Sequence, residues 1–156
     1  MDIPDSMKAE LAAWNNGAGI DLESWVGCEG NFRLALGYAG IFWPDFVEFE
    51  GLILRAGFRV DSLRSFQRQG GIDRAGVESV MNHLHIADIQ SYGCPDASSD
   101  KLLQLGRLLE QIYTAKLQWQ FPTRPCRVSF FVPPNPADLI QYEITFWQLA
   151  SEGVPA

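Results

Sequence analysis

A chain of 156 residues has the usual length of one domain and can bury a core without cross-links. With 47% hydrophobic residues, five Trp and ten Phe, it holds enough apolar surface to offset the chain entropy lost on folding, which excludes a disordered chain. A formal charge of −7, from 12 Lys and Arg against 19 Asp and Glu, repels phosphate backbones and argues against nucleic acid, while steering a basic protein surface toward this one.

Pro4 and Asp5 mark the start of a first helix, near 5–15, in which Met7, Leu11 and Trp14 recur at i, i+4 and i+7 until Asn15 to Gly17 stop it. "DLESWVGCEG" reads as a short second helix capped by Asp21, and "NFRLALGYAGIF" as a third, near 31–42. Gly37 and Gly40 each cost that third helix about 1 kcal/mol against Ala, which suggests close packing or an interruption. Pro44 then disfavours helical geometry at Trp43.

"FVEFEGLILR" alternates and predicts one strand near 46–55, with Val47, Phe49, Gly51 and Ile53 on one side and Phe46, Glu48, Glu50, Leu52 and Leu54 on the other. Residues 61–69 give one or two helical turns, broken by Gly70 and Gly71. Asp73 caps a helix near 73–85 whose apolar stripe is Val77, Val80, Met81 and Leu84. A loop, "SYGCPDASS", follows. Ser99 or Asp100 caps the clearest helix, near 99–118, with Leu102, Leu105, Leu109 and Ile112 on one stripe and its end set by Pro122. The stretches 126–132 and 139–147 are rich in aromatic and β-branched residues, flank "PPNPA", and predict an antiparallel strand pair; 151–156 is a frayed tail. The sum is an α+β fold, a single domain over 1–156, with helices packed on one face of a small, mainly antiparallel sheet.

Cys28, Cys94 and Cys126 form no CxxC pair, and "MDIPDSMKAE" opens acidic rather than with a basic region before an apolar run. The expectation is a cytoplasmic protein with reduced thiols, no signal peptide and no membrane partner.

The two histidines, His83 and His85, stand two residues apart with Asp88 close behind. On a helix, side chains two apart diverge by about 200°, so the pair would not share an ion; only an extended backbone puts them on one side. The spacing matches no zinc signature, and both rings read as edges of the apolar stripe. Cys28 lies in "WVGCEGNF"; as a nucleophile it needs a base, His83 or His85, and an oxyanion donor. A lone cysteine near Trp25 and Phe32 otherwise reads as a small buried apolar group. Arg64, Arg68 and Arg74 surround two glycines, yet without a P-loop pattern and with Asp73 at the anion position they read as solvated charges.

The last signal is a surplus. Tyr38, Phe42, Trp43, Phe46 and Phe49 are interleaved with Asp45, Glu48 and Glu50, and Tyr142, Phe146 and Trp147 lie beside Glu143. Much of this belongs to the core, but any exposed part suits docking on a basic protein, with Trp anchoring and carboxylates steering. Two function classes follow. One is a non-enzymatic acidic protein-binding module, of the inhibitor or toxin-neutralising immunity type, docking through Trp43, Asp45, Glu48 and Glu50. The other is a small enzyme or ligand-binding domain using Cys28 with His83 or His85. The binding module demands fewer coincidences and needs no metal and no cofactor.

Overall fold

The computed structural model describes residues 2–90 and 94–155, which form six helices and two small antiparallel sheets in a single α+β domain. In chain order these are α1 (Asp5–Gly17), α2 (Leu22–Glu29), α3 (Phe32–Phe42), β1 (Phe46–Phe49), β2 (Leu52–Arg55), α4 (Val60–Gln67), α5 (Arg74–Asn82), β3 (Leu84–His85), α6 (Ser99–Gln120), β4 (Cys126–Phe131) and β5 (Glu143–Gln148). Short 3-10 turns at Ile86–Ile89, Leu139–Gln141 and Leu149–Ser151 complete the order. Of the expected loop "SYGCPDASS", residues 91–93 lie outside the described residues.

Capping side chains set the starts of α2, α3 and α5, whereas α6 begins after Ser98, ahead of its expected cap at Ser99 or Asp100, with no side-chain capping bond. Asp21 accepts the Ser24 amide at 2.8 Å, Asn31 the Leu34 amide at 3.0 Å and Asp73 the Gly76 amide at 2.7 Å, each satisfying a donor with no partner inside the helix. Asn15 and Asn16 adopt left-handed backbone at φ 54° and 55°, which ends the regular part of α1 where the polar run predicts.

The segment 46–55 is not one strand but a hairpin. Glu50 and Gly51 take φ of 52° and 79°, the two positive values that a tight two-residue hairpin turn requires, and Phe49 pairs with Leu52 across it. Glutamate is an unusual residue there; it is held by Arg64, whose guanidinium forks onto its carboxylate at 2.7 and 2.5 Å, and by Arg74, which donates to its carbonyl at 3.1 Å.

The second sheet has the order β3-β5-β4, with β4 and β5 paired along their length from Cys126↔Gln148 to Phe131↔Glu143. The antiparallel pair is as expected, although its second strand starts only at Glu143, after the turn at Leu139–Gln141. Across its inner face runs α6, burying Leu109, Tyr113 and Leu117 against Ile144, Phe146 and Phe46. Phe46 stands edge-on to Phe146 and Tyr113, with ring centroids 4.8 and 5.5 Å apart. A smaller cluster of Leu52, Leu54, Leu63 and Val77 lies between the hairpin, α4 and α5.

The helices do not all share one face. While α6 crosses the sheet, α5 lies along the edges of β2 and β5 and reaches both with polar side chains. Its buried residues are Ala75, Val77, Glu78 and Asn82, whereas Val80 and Met81 of the expected stripe are half-buried. The helix stops at Asn82, three residues before the expected end, and Leu84–His85 instead add a short strand to β5. The chain end, expected to fray, is tied back to α5 as far as Pro155: the Arg74 amide donates to Val154 O at 2.7 Å and the Gly153 amide to Asp73 Oδ2 at 2.8 Å. Among the described residues, no helix is long and apolar enough to cross a membrane.

Candidate functional site

Among the described residues the helix pair α2–α3 is the least buried part, although α3 is the most apolar helix. No residue of either helix is fully buried. A helix apolar on all sides normally belongs inside a protein, because each exposed leucine or phenylalanine forgoes roughly 1.5–3 kcal/mol of transfer free energy. Here Phe32 is 90% exposed, Leu36 76%, Val26 56% and Leu34 51%. Gly37 and Gly40 face open space, so neither close packing nor an interruption accounts for them; α3 is continuous. Its anchorage comes from Tyr38 and Phe42, which point into the body of the protein, and from Tyr113, whose hydroxyl donates to Ile41 O at 3.0 Å. A further tie, from the Trp25 indole to Glu10 Oε1 at 3.1 Å, joins α2 to α1. Around this surface Asp21, Glu23 and Glu29 are exposed against the single cation Arg33.

Trp43, the residue that ends α3, is 49% exposed and lies 6.2 Å, centroid to centroid, from Trp119, which is 71% exposed. Beneath them Lys116, only 5% exposed, holds its ammonium 4.8 Å from the Trp43 ring and 5.9 Å from the Trp119 ring. The cation sits within reach of both π-faces, which fixes the indoles while leaving their outer faces to solvent.

The expected carboxylates are all exposed but unequally paired. Asp45 makes no ion pair among the described residues. Glu48 pairs with Arg124 at 2.7 Å, and Glu50 is clamped by Arg64, whose hydrogen bonds hold its carboxyl below the ordinary value. Two of the three acids are thus already matched by cations of the same chain.

The thiol and imidazole residues are distributed differently. Cys28 is exposed on α2 and not, as its aromatic neighbours suggested, a buried apolar group. His83 and His85 follow the end of α5 on extended backbone, the one conformation that brings such a pair together, and their rings meet edge to face with centroids 5.2 Å apart. His83 Nδ1 lies 2.6 Å from Val80 O, while His85 Nδ1 is buried, 3.8 Å from Glu143 Oε2 and without a hydrogen bond among the described residues. Among the described residues no hydrogen bond joins Cys28 to either histidine, and no group of three or more His, Cys, Asp or Glu residues has metal-binding geometry. Cys126 is half-buried on β4, and burial pushes its thiol up to about 12, far from a reactive thiolate.

Trp43, Asp45, Glu48 and Glu50, singled out in the sequence, are all exposed, whereas the sequence did not mark the outward face of α3 or the proximity of Trp119 to Trp43. Only one signal was available for α3, its lack of any polar face, and that pattern is shared by helices buried inside a domain. Set against protein-family models, curated proteins and solved structures, the chain matches none.

Proposed function

We propose that this protein is a non-enzymatic protein-binding module, of the inhibitor or immunity type, whose partner offers an apolar centre with a basic rim. The observation that carries the reading is the exposure of Phe32, Leu36 and Trp119 at 90%, 76% and 71% on a helix pair and a neighbouring indole that none of the described residues covers. Large contiguous apolar exposure marks a docking surface. The charges around it choose the partner. Asp21, Glu23 and Glu29 outnumber Arg33, and Asp45 adds a free carboxylate beside Trp43, so a cationic rim is attracted, whereas a second copy or an anionic lipid surface is repelled. In this arrangement Phe32, Leu36, Trp43 and Trp119 anchor, and Asp45, with the outer edges of Glu48 and Glu50, steers.

The test uses the intact chain and a Phe32→Ser/Leu36→Ser variant, whose altered side chains make little contribution to the core. A protein co-purified from the native cell with the parent chain, identified by mass spectrometry and then purified, should bind with an affinity that falls as salt rises. The variant should keep its thermal midpoint and lose about 1–2 kcal/mol of binding per anchor. Light scattering should show a monomer, and vesicles of phosphatidylcholine with phosphatidylglycerol should not carry the protein on flotation. Self-association or vesicle binding that disappears in the variant would replace this reading with the corresponding one.

A further inference from the structure

A cleft of about 440 Å³ opens between α3, the 3-10 turns at Ile86–Ile89 and Leu139–Gln141, and the first turns of α6. It lies on the inner side of α3, away from the outward residues Phe32 and Leu36, which do not line it. Its volume lies within the roughly 300–1,000 Å³ of small-molecule sites and is too small for a helix. The walls are apolar: Phe42, Ile86, Ile89, Leu102, Leu105 and Ile140, of which Ile86 and Leu102 are 1% and 5% exposed.

Polar groups gather at the edge and select the ligand. Lys101 is the only cation among the described lining residues, and it is taken up by the carboxylate and carbonyl of Asp96; Asp88 is a second carboxylate. The rim therefore carries a net negative charge and offers no free partner to an anion. The Tyr38 hydroxyl and the Gln90 side-chain amide meet at this edge, and a hydroxyl there is able to donate to an acceptor in the cleft.

We propose that this cleft binds a neutral, apolar small molecule carrying one hydrogen-bond acceptor, such as an aromatic or branched aliphatic ketone or ester. The hydrocarbon part fills the space between Phe42, Leu105 and Ile140, and the carbonyl oxygen accepts from Tyr38. The site is independent of the protein-docking surface proposed above.

Prodan, a neutral naphthyl ketone whose emission shifts to the blue in apolar surroundings, is the probe. Titrated against the full chain, it should give saturable one-to-one binding, and the anion anilinonaphthalene sulfonate should bind more weakly. Leu105→Trp fills the cleft, and Ile140→Lys puts a charge at its mouth from a residue that is 64% exposed, so that folding is spared. Each should weaken prodan binding by about tenfold or more, whereas Phe32→Ser/Leu36→Ser should leave it unchanged. Absence of saturable binding overturns the assignment. So does binding that survives Ile140→Lys and a folded Leu105→Trp, or that disappears with Phe32→Ser/Leu36→Ser, which would place the dye on the outer face of α3.

Discussion

Glu78 and Asn82, one turn apart on α5, hydrogen-bond the backbone edges of two separate sheets. The Glu78 carboxylate accepts the amides of Ile53 at 2.9 Å and Gln148 at 2.8 Å, together with the Gln148 side-chain amide. Asn82 accepts the Arg55 amide at 2.9 Å and donates to Ile53 O at 2.8 Å and Phe146 O at 3.2 Å. Both side chains are fully buried and take the place of a strand that would otherwise lie between β2 and β5. Gln148 carries the network outward, since Arg124 donates to its Oε1 at 2.8 Å and to Gly51 O at 2.6 Å while pairing with Glu48.

Truncation at either position should therefore cost far more than its side-chain volume suggests. Glu78→Ala orphans two buried backbone donors, for an expected loss of roughly 2–4 kcal/mol; Asn82→Ala orphans a donor and two acceptors, with a similar loss. Urea denaturation measures both. A loss below about 1 kcal/mol in each variant would show that water replaces these bonds and that α5 does not clamp the sheets.

The same pair shows where the sequence was legible and where it was not. Asp21 and Asp73 announce helix starts because capping is local, and the α6 stripe through Leu102 and Leu109 follows from helical periodicity alone. Glu78 and Asn82 break that rule: on an amphipathic pattern a glutamate and an asparagine belong outside, and only the two sheet edges, distant in sequence, draw them inward. Glu50 in a left-handed turn is likewise held by Arg64 and Arg74 from other elements. For the candidate site, Trp43 and its carboxylates were readable as a cluster, whereas the exposure of α3 depends on how little of α6 reaches it.

Asp100 ties the first turn of α1 to that of α6 and should govern part of the acid sensitivity. It accepts from Ser98 Oγ at 2.6 Å, the Ser6 amide at 2.8 Å and the Lys101 amide at 3.0 Å, and these bonds, that of Ser98 foremost, hold its carboxyl far below the ordinary range. A depressed folded value means that its contribution is complete above the unfolded pKa of about 3.9 and is lost as pH falls from there through the folded value. Asp100→Asn should lower the thermal midpoint at neutral pH and flatten the dependence of that midpoint on pH below about 4. Parallel acid limbs for the parent chain and the variant would assign the acid sensitivity elsewhere.

Gly106 poses the opposite problem, a residue that the helix itself would prefer to change. In the middle of α6, alanine would favour the helix by about 1 kcal/mol. Yet a Cβ built there falls 2.1 Å from the Phe130 ring, inside any real contact distance. The ring has little freedom to retreat, because Phe130 is paired with Ile144 in the sheet and its amide donates to Glu110 Oε1 at 3.2 Å. Gly106→Ala should therefore be destabilising by roughly 1–3 kcal/mol, the overpacking outweighing the helix preference. The assignment to Phe130 is checked by a double-mutant cycle with Phe130→Leu: against the smaller side chain the alanine should be neutral or stabilising, leaving a coupling of at least about 1 kcal/mol in chemical denaturation. An additive cycle, or a Gly106→Ala chain more stable than its parent, would mean that β4 shifts to admit the methyl group and that the α6–β4 approach is not set by this glycine.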